Sequence, residues 1–192
     1  TNLSGEISGV ARSINEHGQI VGNSAGNAFL WEEGTMINLG APPNGYGVEA
    51  YCINDIGQIV GKCEIPGLPS QAFIWQNDSF TLLPQFTNLS VAYSINNQGA
   101  VVGRSSTGGL QFAALWENGV LYNLNDYILP GSGLELRQAY DINEQGQIVG
   151  TATMPGSETR YGFILTPIPE PSVVVFVMIG LLGLLKSKFH RE

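Results

Sequence analysis

Residues 139–150, AYDINEQGQIVG, are one of four versions of the same passage, and the rest of the chain is arranged around them. The other copies are ARSINEHGQIVG from Ala11, AYCINDIGQIVG from Ala50 and AYSINNQGAVVG from Ala92, which share Ile-Asn-x-x-Gly-x-[IV]-Val-Gly. The asparagines Asn15, Asn54, Asn96 and Asn143 follow one another at 39, 42 and 47 residues. Self-similarity at such a period marks a repeat architecture.

Within each copy the chemistry reads as a hairpin. Asparagine at the first turn position bonds to backbone two residues on, and glycine at the fourth accepts the left-handed conformation that returns the chain. Asn15 with Gly18, Asn54 with Gly57, Asn96 with Gly99 and Asn143 with Gly146 supply that pair. Short runs suited to strands flank each turn, such as Ala92-Tyr93-Ser94-Ile95 and Ala100-Val101-Val102.

After each hairpin the same order recurs. A polar connection leads to an apolar run, AFLW at 28–31, AFIW at 72–75, AALW at 113–116 and GFIL at 162–165; in the first three copies a polar turn and a weaker strand follow. That makes four short strands per repeat. A strand with one wet face alternates, whereas AFLW and AFIW are apolar at successive positions, as in strands covered on both faces. Small sheets covered on both faces by their own copies are propeller blades, and four strands in 40–50 residues fit that geometry. A β-solenoid or stacked β-sandwich is the competing arrangement.

The expected fold is therefore all-β, a β-propeller of about four four-stranded repeats over residues 1–166, divided near 5–40, 41–84, 85–128 and 129–166. The fourth repeat lacks an outer strand, because Pro167, Pro169 and Pro171 cannot donate within a sheet. Thr1-Asn2-Leu3 resembles the repeat-closing Ile37-Asn38-Leu39 and Tyr122-Asn123-Leu124, so pairing it with Phe163-Ile164-Leu165 would seal the ring. The alternative is a piece of a larger ring, since the chain opens at Thr1 with neither Met nor an apolar leader.

Charge excludes one partner class. Charged residues make up only 12 % of the chain and the net charge is -8, with 15 acidic and 5 basic side chains before Ser172. An acidic body without a basic stripe does not suit nucleic acid.

The tail has three parts. Pro-rich residues 167–172 precede Val173 to Leu185, thirteen residues without a polar side chain, and then Lys186, Lys188 and Arg191. As a helix the apolar run spans about 20 Å, short of the ~30 Å hydrocarbon core, but a cationic flank holds that end in the cytoplasm and its long side chains extend the span. Residues 173–192 are accordingly expected to form a transmembrane helix with its basic end inside and the repeats outside.

Residues 169–191 resemble the PEP-CTERM sorting signal of Gram-negative bacteria that make exopolysaccharide. The resemblance implies that an exosortase recognises Pro169-Glu170-Pro171 and detaches the domain for export to the cell surface or matrix. The basic end is sparser than the family's arginine cluster. The Ile-Asn-x-x-Gly-Gln-Ile-Val-Gly and Ala-Phe-[LI]-Trp elements over about residues 5–165 are similar to the HAF extracellular-repeat family, which has no activity to carry over.

Chemistry-bearing motifs are few. Cys52 and Cys63 stand where other copies carry Ser, Asp or Ala, and a hairpin near Asp55 does not set them opposite each other, so free thiols compete with a disulfide. The turns supply too few converging oxygens for calcium, and a zinc site is not expected because His17 lies in a turn and His190 in the tail. No metal or cofactor is expected. Trp31, Trp75 and Trp116 read first as blade packing and second as sugar-stacking residues. The functional expectation is a non-enzymatic surface or matrix module whose partners are the exosortase, exopolysaccharide or surface proteins. A carbohydrate-binding propeller is the alternative, and a polysaccharide-cleaving enzyme, which needs carboxylates roughly 5–10 Å apart, a more distant one.

Overall fold

The computed structural model describes residues 9–86, 88–157, 159–168, 174–179 and 184–189, the last two segments by their backbone. Four antiparallel sheets follow one another along the chain. The first holds β1 (Gly9–Ile14), β2 (Ile20–Ser24), β3 (Asn27–Glu32) and β4 (Thr35–Asn38). The second holds β5 (Tyr46–Ile53), β6 (Ile59–Ile65), β7 (Leu68–Gln76) and β8 (Ser79–Leu82). The third holds β9 (Ser90–Ile95), β10 (Val101–Thr107), β11 (Leu110–Glu117) and β12 (Val120–Asn123), and a 3-10 turn at Leu124–Tyr127 follows it. The fourth begins with β13 (Glu135–Ile142), β14 (Ile148–Thr153) and β15 (Arg160–Ile168).

Strand order thus follows the repeat, and the predicted turn chemistry is present. In the first turn the Gly18 amide donates to the Asn15 carbonyl at 3.0 Å, and the Asn15 amide donates to the Gln19 carbonyl at 3.1 Å. Gly18, Gly57, Gly99 and Gly146 have φ of 77°, 77°, 81° and 73°, the left-handed region that a side chain would strain.

The hydrophobic core lies between the sheets, in three seams. Val21, Leu30 and Leu39 of the first sheet pack with Ala50, Ile53 and Ile59 of the second. Val60 and Leu83 pack with Ala92, Ile95, Val101 and Trp116. Val102, Leu115 and Leu124 pack with Leu136, Ile142 and Ile148. Inner strands β1, β5, β9 and β13 touch in succession, so the sheets are arranged like blades. The apolar run of β11 is buried at consecutive positions, Ala113, Ala114, Leu115 and Trp116, because this strand has a seam on both faces. The outer strands β4 and β8 are mostly exposed.

The C-terminal region differs from the helix expected there. Val174–Ile179 forms β16, which pairs with β15 from Leu165↔Met178 to Ile168↔Val175. Leu184–Phe189 forms β17, paired with β16. The fourth sheet therefore takes its outer strand from the apolar tail. Thirteen apolar residues do not distinguish helix from strand by periodicity, and Val173-Val174-Val175 and Val177 carry strong β propensity. Pro167 lies within β15, contrary to the expected stop, at a position paired to β16 but beyond the reach of β14. Among the described residues no helix is long and apolar enough to cross a membrane. The proposed closing strand Thr1 to Leu3 lies outside the described residues.

Candidate functional site

The asparagine turns gather at one end of the blades and bond to one another. Each asparagine first serves its own turn: the Asn15 Oδ1 accepts from the His17 and Gln19 amides at 3.1 and 3.0 Å, and the Asn96 Oδ1 accepts from the Ala100 amide at 3.0 Å. Its Nδ2 then donates across the seam to the carbonyl of the next asparagine. The distances are 3.1 Å from Asn15 to Asn54, 3.0 Å from Asn54 to Asn96 and 3.2 Å from Asn96 to Asn143. Sequence reading assigned these residues to turns alone, since a bond across 39 to 47 residues leaves no local signal.

A second file runs beside the first. The Glu16 amide donates to Asp55 Oδ1 at 2.9 Å, the Asp55 amide to Asn97 Oδ1 at 2.8 Å, and the Asn97 amide to Glu144 Oε1 at 3.0 Å. The Glu16 amide, together with the Asn97 side-chain amide, holds the Asp55 carboxyl below its ordinary range.

The third file arises from a β-bulge repeated in every inner strand. The pairing of inner strand with second strand skips one residue each time, at Arg12, Tyr51, Tyr93 and Tyr140. Opposite the bulge stands the last glycine of the motif. A Cβ on Gly22, Gly61, Gly103 or Gly150 would lie within 1.8–2.0 Å of the carbonyl oxygen of Val10, Glu49, Val91 or Gln138. Glycine is thus required for the close approach, and the bulge re-aims the extra side chain.

These re-aimed side chains line up along the inner strands. The Tyr51 and Tyr93 rings are 5.7 Å apart and tilted by 57°, Tyr93 and Tyr140 are 5.7 Å apart and tilted by 43°, and the Arg12 guanidinium lies 5.7 Å from the Tyr51 ring. The Tyr51 hydroxyl donates to Glu49 Oε2 at 2.7 Å, and Glu49 pairs with Lys62 at 3.0 Å. Burial pushes the Glu49 carboxyl up, but the Tyr51 and Lys62 bonds outweigh it and leave the group below its ordinary range. Burial and the neighbouring Glu49 push the Tyr51 phenol up.

The tryptophans stand elsewhere. Trp75 and Trp116 are buried in the seams, at 6 % and 1 % exposure, and the Trp116 indole donates to the Pro84 carbonyl at 2.7 Å. Trp31 is half-buried. Blade packing occupies Trp75 and Trp116 and removes them as sugar platforms; the more accessible rings are Tyr46, Phe86 and Tyr140, 58 %, 52 % and 42 % exposed.

Cys52 and Cys63 are free thiols. Cys52 sits between Ser13 and Ser94 at 3.8 and 3.9 Å, and Ser94 donates to Asp141 Oδ1 at 2.6 Å. Burial raises the Cys63 thiol to about 11. His17 lines a 450 Å³ cavity on the turn end, beside Asp55 and Asp78. Among the described residues no group of three or more His, Cys, Asp or Glu is placed to hold a metal ion. Pro169, Glu170, Pro171 and Arg191 lie outside the described residues, and Lys186 and Lys188 fall in β17, described by its backbone.

At the opposite end from the asparagine turns, two adjoining cavities of 610 and 330 Å³ open between the third and fourth blades. Leu110, Gln111 and Arg137 line both. Arg137 is fixed there by Glu135, by the Thr153 hydroxyl at 2.9 Å and by the Gln111 carbonyl at 3.2 Å. The smaller cavity adds Gln138, Thr151, Ser157 and Arg160, a set that offers hydrogen bonds and positive charge.

No family model matches the chain, and no curated protein matches it. Among solved structures it is similar to the crystal structure of TolB from Acinetobacter baumannii, with a TM-score of 0.56 and 11 % identity. The match covers 95 % of this chain and 54 % of that one, so the chain spans about half the length of its structural neighbour. The likeness supports a β-propeller-like, repeat-built all-β fold.

Proposed function

We propose that the chain is an exported, non-enzymatic interaction module of the cell surface or extracellular matrix, sorted through its C-terminal tail by an exosortase. One observation carries the non-enzymatic part. The polar side chains that the repeat provides are engaged with the backbone of the neighbouring blade across the seams, at Asn15, Asn54 and Asn96 and again at Asp55, Asn97 and Glu144. They hold blades together instead of converging on a substrate. The tail supports export through its order of Pro169-Glu170-Pro171, apolar run and cationic end. Val174–Ile179 and Leu184–Phe189 pair as strands here; in a bilayer a lone segment satisfies its backbone only as a helix.

Cell fractionation with intact-mass measurement tests this reading, on the full chain and on a chain ending before Pro169. A product shortened near Glu170 and found outside the cell is the expected result. A full-length species retained in the cytosol would refute it.

A second reading is favoured by the cavities between the third and fourth blades. Arg137, Gln138, Thr151, Ser157 and Arg160 would suit the hydroxyl and carboxylate groups of an acidic polysaccharide. Glycan-array binding that disappears in Arg160→Ala supports it, and silence across acidic and neutral glycans rejects it.

A further inference from the structure

The repeat provides its own control for what a blade face needs. Ile53, Ile95 and Ile142 occupy the same place in the second, third and fourth copies and are 4 %, 4 % and 7 % exposed, whereas Ile14 in the first copy is 65 % exposed. At the other end of the row, Val21, Val60 and Val102 are 0 % exposed and their equivalent Val149 is 42 % exposed. Residue type and strand position are constant in both comparisons. The neighbouring blade differs, and the opening of the first face is local to Ile14, since Phe29, the counterpart of the seam residue Phe73, is 4 % exposed.

The polar files end in matching halves at the same two faces. The bonds that form the two files run from donor in one blade to acceptor in the next, with the Asn97 side-chain amide adding one bond back to Asp55. The fourth blade therefore ends on the donors, the Asn143 side-chain amide and the Glu144 backbone amide. The first blade begins on the acceptors, the Asn15 carbonyl and the Glu16 carboxylate. Asn143 is exposed, and its Nδ2 keeps the bond within its own turn, to Gln147 Oε1 at 2.7 Å, that Asn15 and Asn54 make to Gln19 and Gln58 beside their cross-seam bonds. The ring file likewise ends on the exposed Tyr140 and begins on the exposed guanidinium of Arg12, which already packs on a tyrosine in the seam between the first and second blades.

We propose that the chain associates head to tail with a second copy of itself, the fourth blade of one copy seating on the first blade of the next. The contact repeats the internal seam: Val149 covers Ile14, Asn143 donates to the Asn15 carbonyl, and the Arg12 guanidinium lies on the Tyr140 ring. Such a contact is heterologous, so it closes into a ring of copies where the rotation allows and extends as a filament where it does not. The inference is independent of the export reading.

The test is the mass of the full chain in solution by light scattering, followed from low to high micromolar concentration. Ile14→Asp and Val149→Asp each spoil one face at an exposed position, and circular dichroism checks that each variant keeps its fold. The wild type is expected at twice the monomer mass or more, each variant alone at the monomer mass, and an equimolar mixture of the two at twice the monomer mass, because each variant retains the face the other has lost. A wild type that stays monomeric at every concentration overturns the proposal. Variants that associate as well as the wild type overturn it equally, since association through the tail would be indifferent to both substitutions. A mixture that stays monomeric does so too.

Discussion

The three internal seams and the two end faces are built from the same motif, yet the seams are dry where the end faces are open, at Ile14 and Val149. Ile95 and Ile14 stand at the same repeat position, one almost wholly covered and the other mostly open. Asn96 and Asn143 make the same turn, but only Asn96 reaches the next blade. Burial in this fold is thus a property of the neighbour more than of the residue. Stability resides between blades, where every seam adds apolar area together with two polar files.

The largest effect separates what a blade needs internally from what it needs from its neighbours. Gly103→Ala and Gly22→Ala both drive a Cβ into a backbone carbonyl of their own blade, at 1.9 and 2.0 Å. Each is expected to cost about 3 kcal/mol or more in urea unfolding, with no advantage for the end blade, because overpacking against backbone is not relieved by exposure. A mild Gly22→Ala beside a severe Gly103→Ala would show that the bulge is itself imposed by the seams.

The asparagines come next. Asn96→Ala loses its own turn and the bond to the Asn143 carbonyl, and Asn143→Ala loses its turn alone. The expected losses are about 2–3 and about 1 kcal/mol respectively. Equal losses would remove the cross-seam bond from the account.

Acid acts more weakly. The Asp55 carboxyl titrates below its unfolded value, so its contribution is present above about pH 4 and is lost as pH falls through the folded value. Asp55→Asn keeps an acceptor for the Glu16 amide, as Asn97 already does for Asp55, and is expected to lose less stability than the wild type on acidification. An unchanged acid profile would show that Asp55 is not among the groups responsible.

The smallest effect is chemical. With its thiol at about 11, buried Cys63 should resist a thiol reagent at about pH 8 until the chain unfolds, while half-buried Cys52 reacts first. Simultaneous labelling would mean that the seam between the first and second blades opens in the native state.

The turns, strand order and buried apolar runs were legible because each is local: Asn-x-x-Gly makes a turn wherever it stands, and AFIW is apolar at successive positions in any context. The second role of asparagine was not, because its partner lies one whole repeat away. The bulge left only a faint signal, the Tyr51, Tyr93 and Tyr140 series opposite an unvarying glycine, and the outlier Arg12 hid the file at its first member. A tryptophan that ends an apolar run favours packing over ligand contact, and the seams are where Trp75 and Trp116 lie. The tail misled in its local structure, since a short run rich in valine satisfies a helix and a strand pattern equally well.

The most direct test of this account is a paired measurement, urea unfolding of Ile95→Ala and Ile14→Ala in dilute solution. The account predicts a loss of about 2–5 kcal/mol for Ile95→Ala and less than about 0.5 kcal/mol for Ile14→Ala. Equal losses would contradict it, for then the first blade would carry a covering neighbour of its own and the two faces would not be the open halves of a seam.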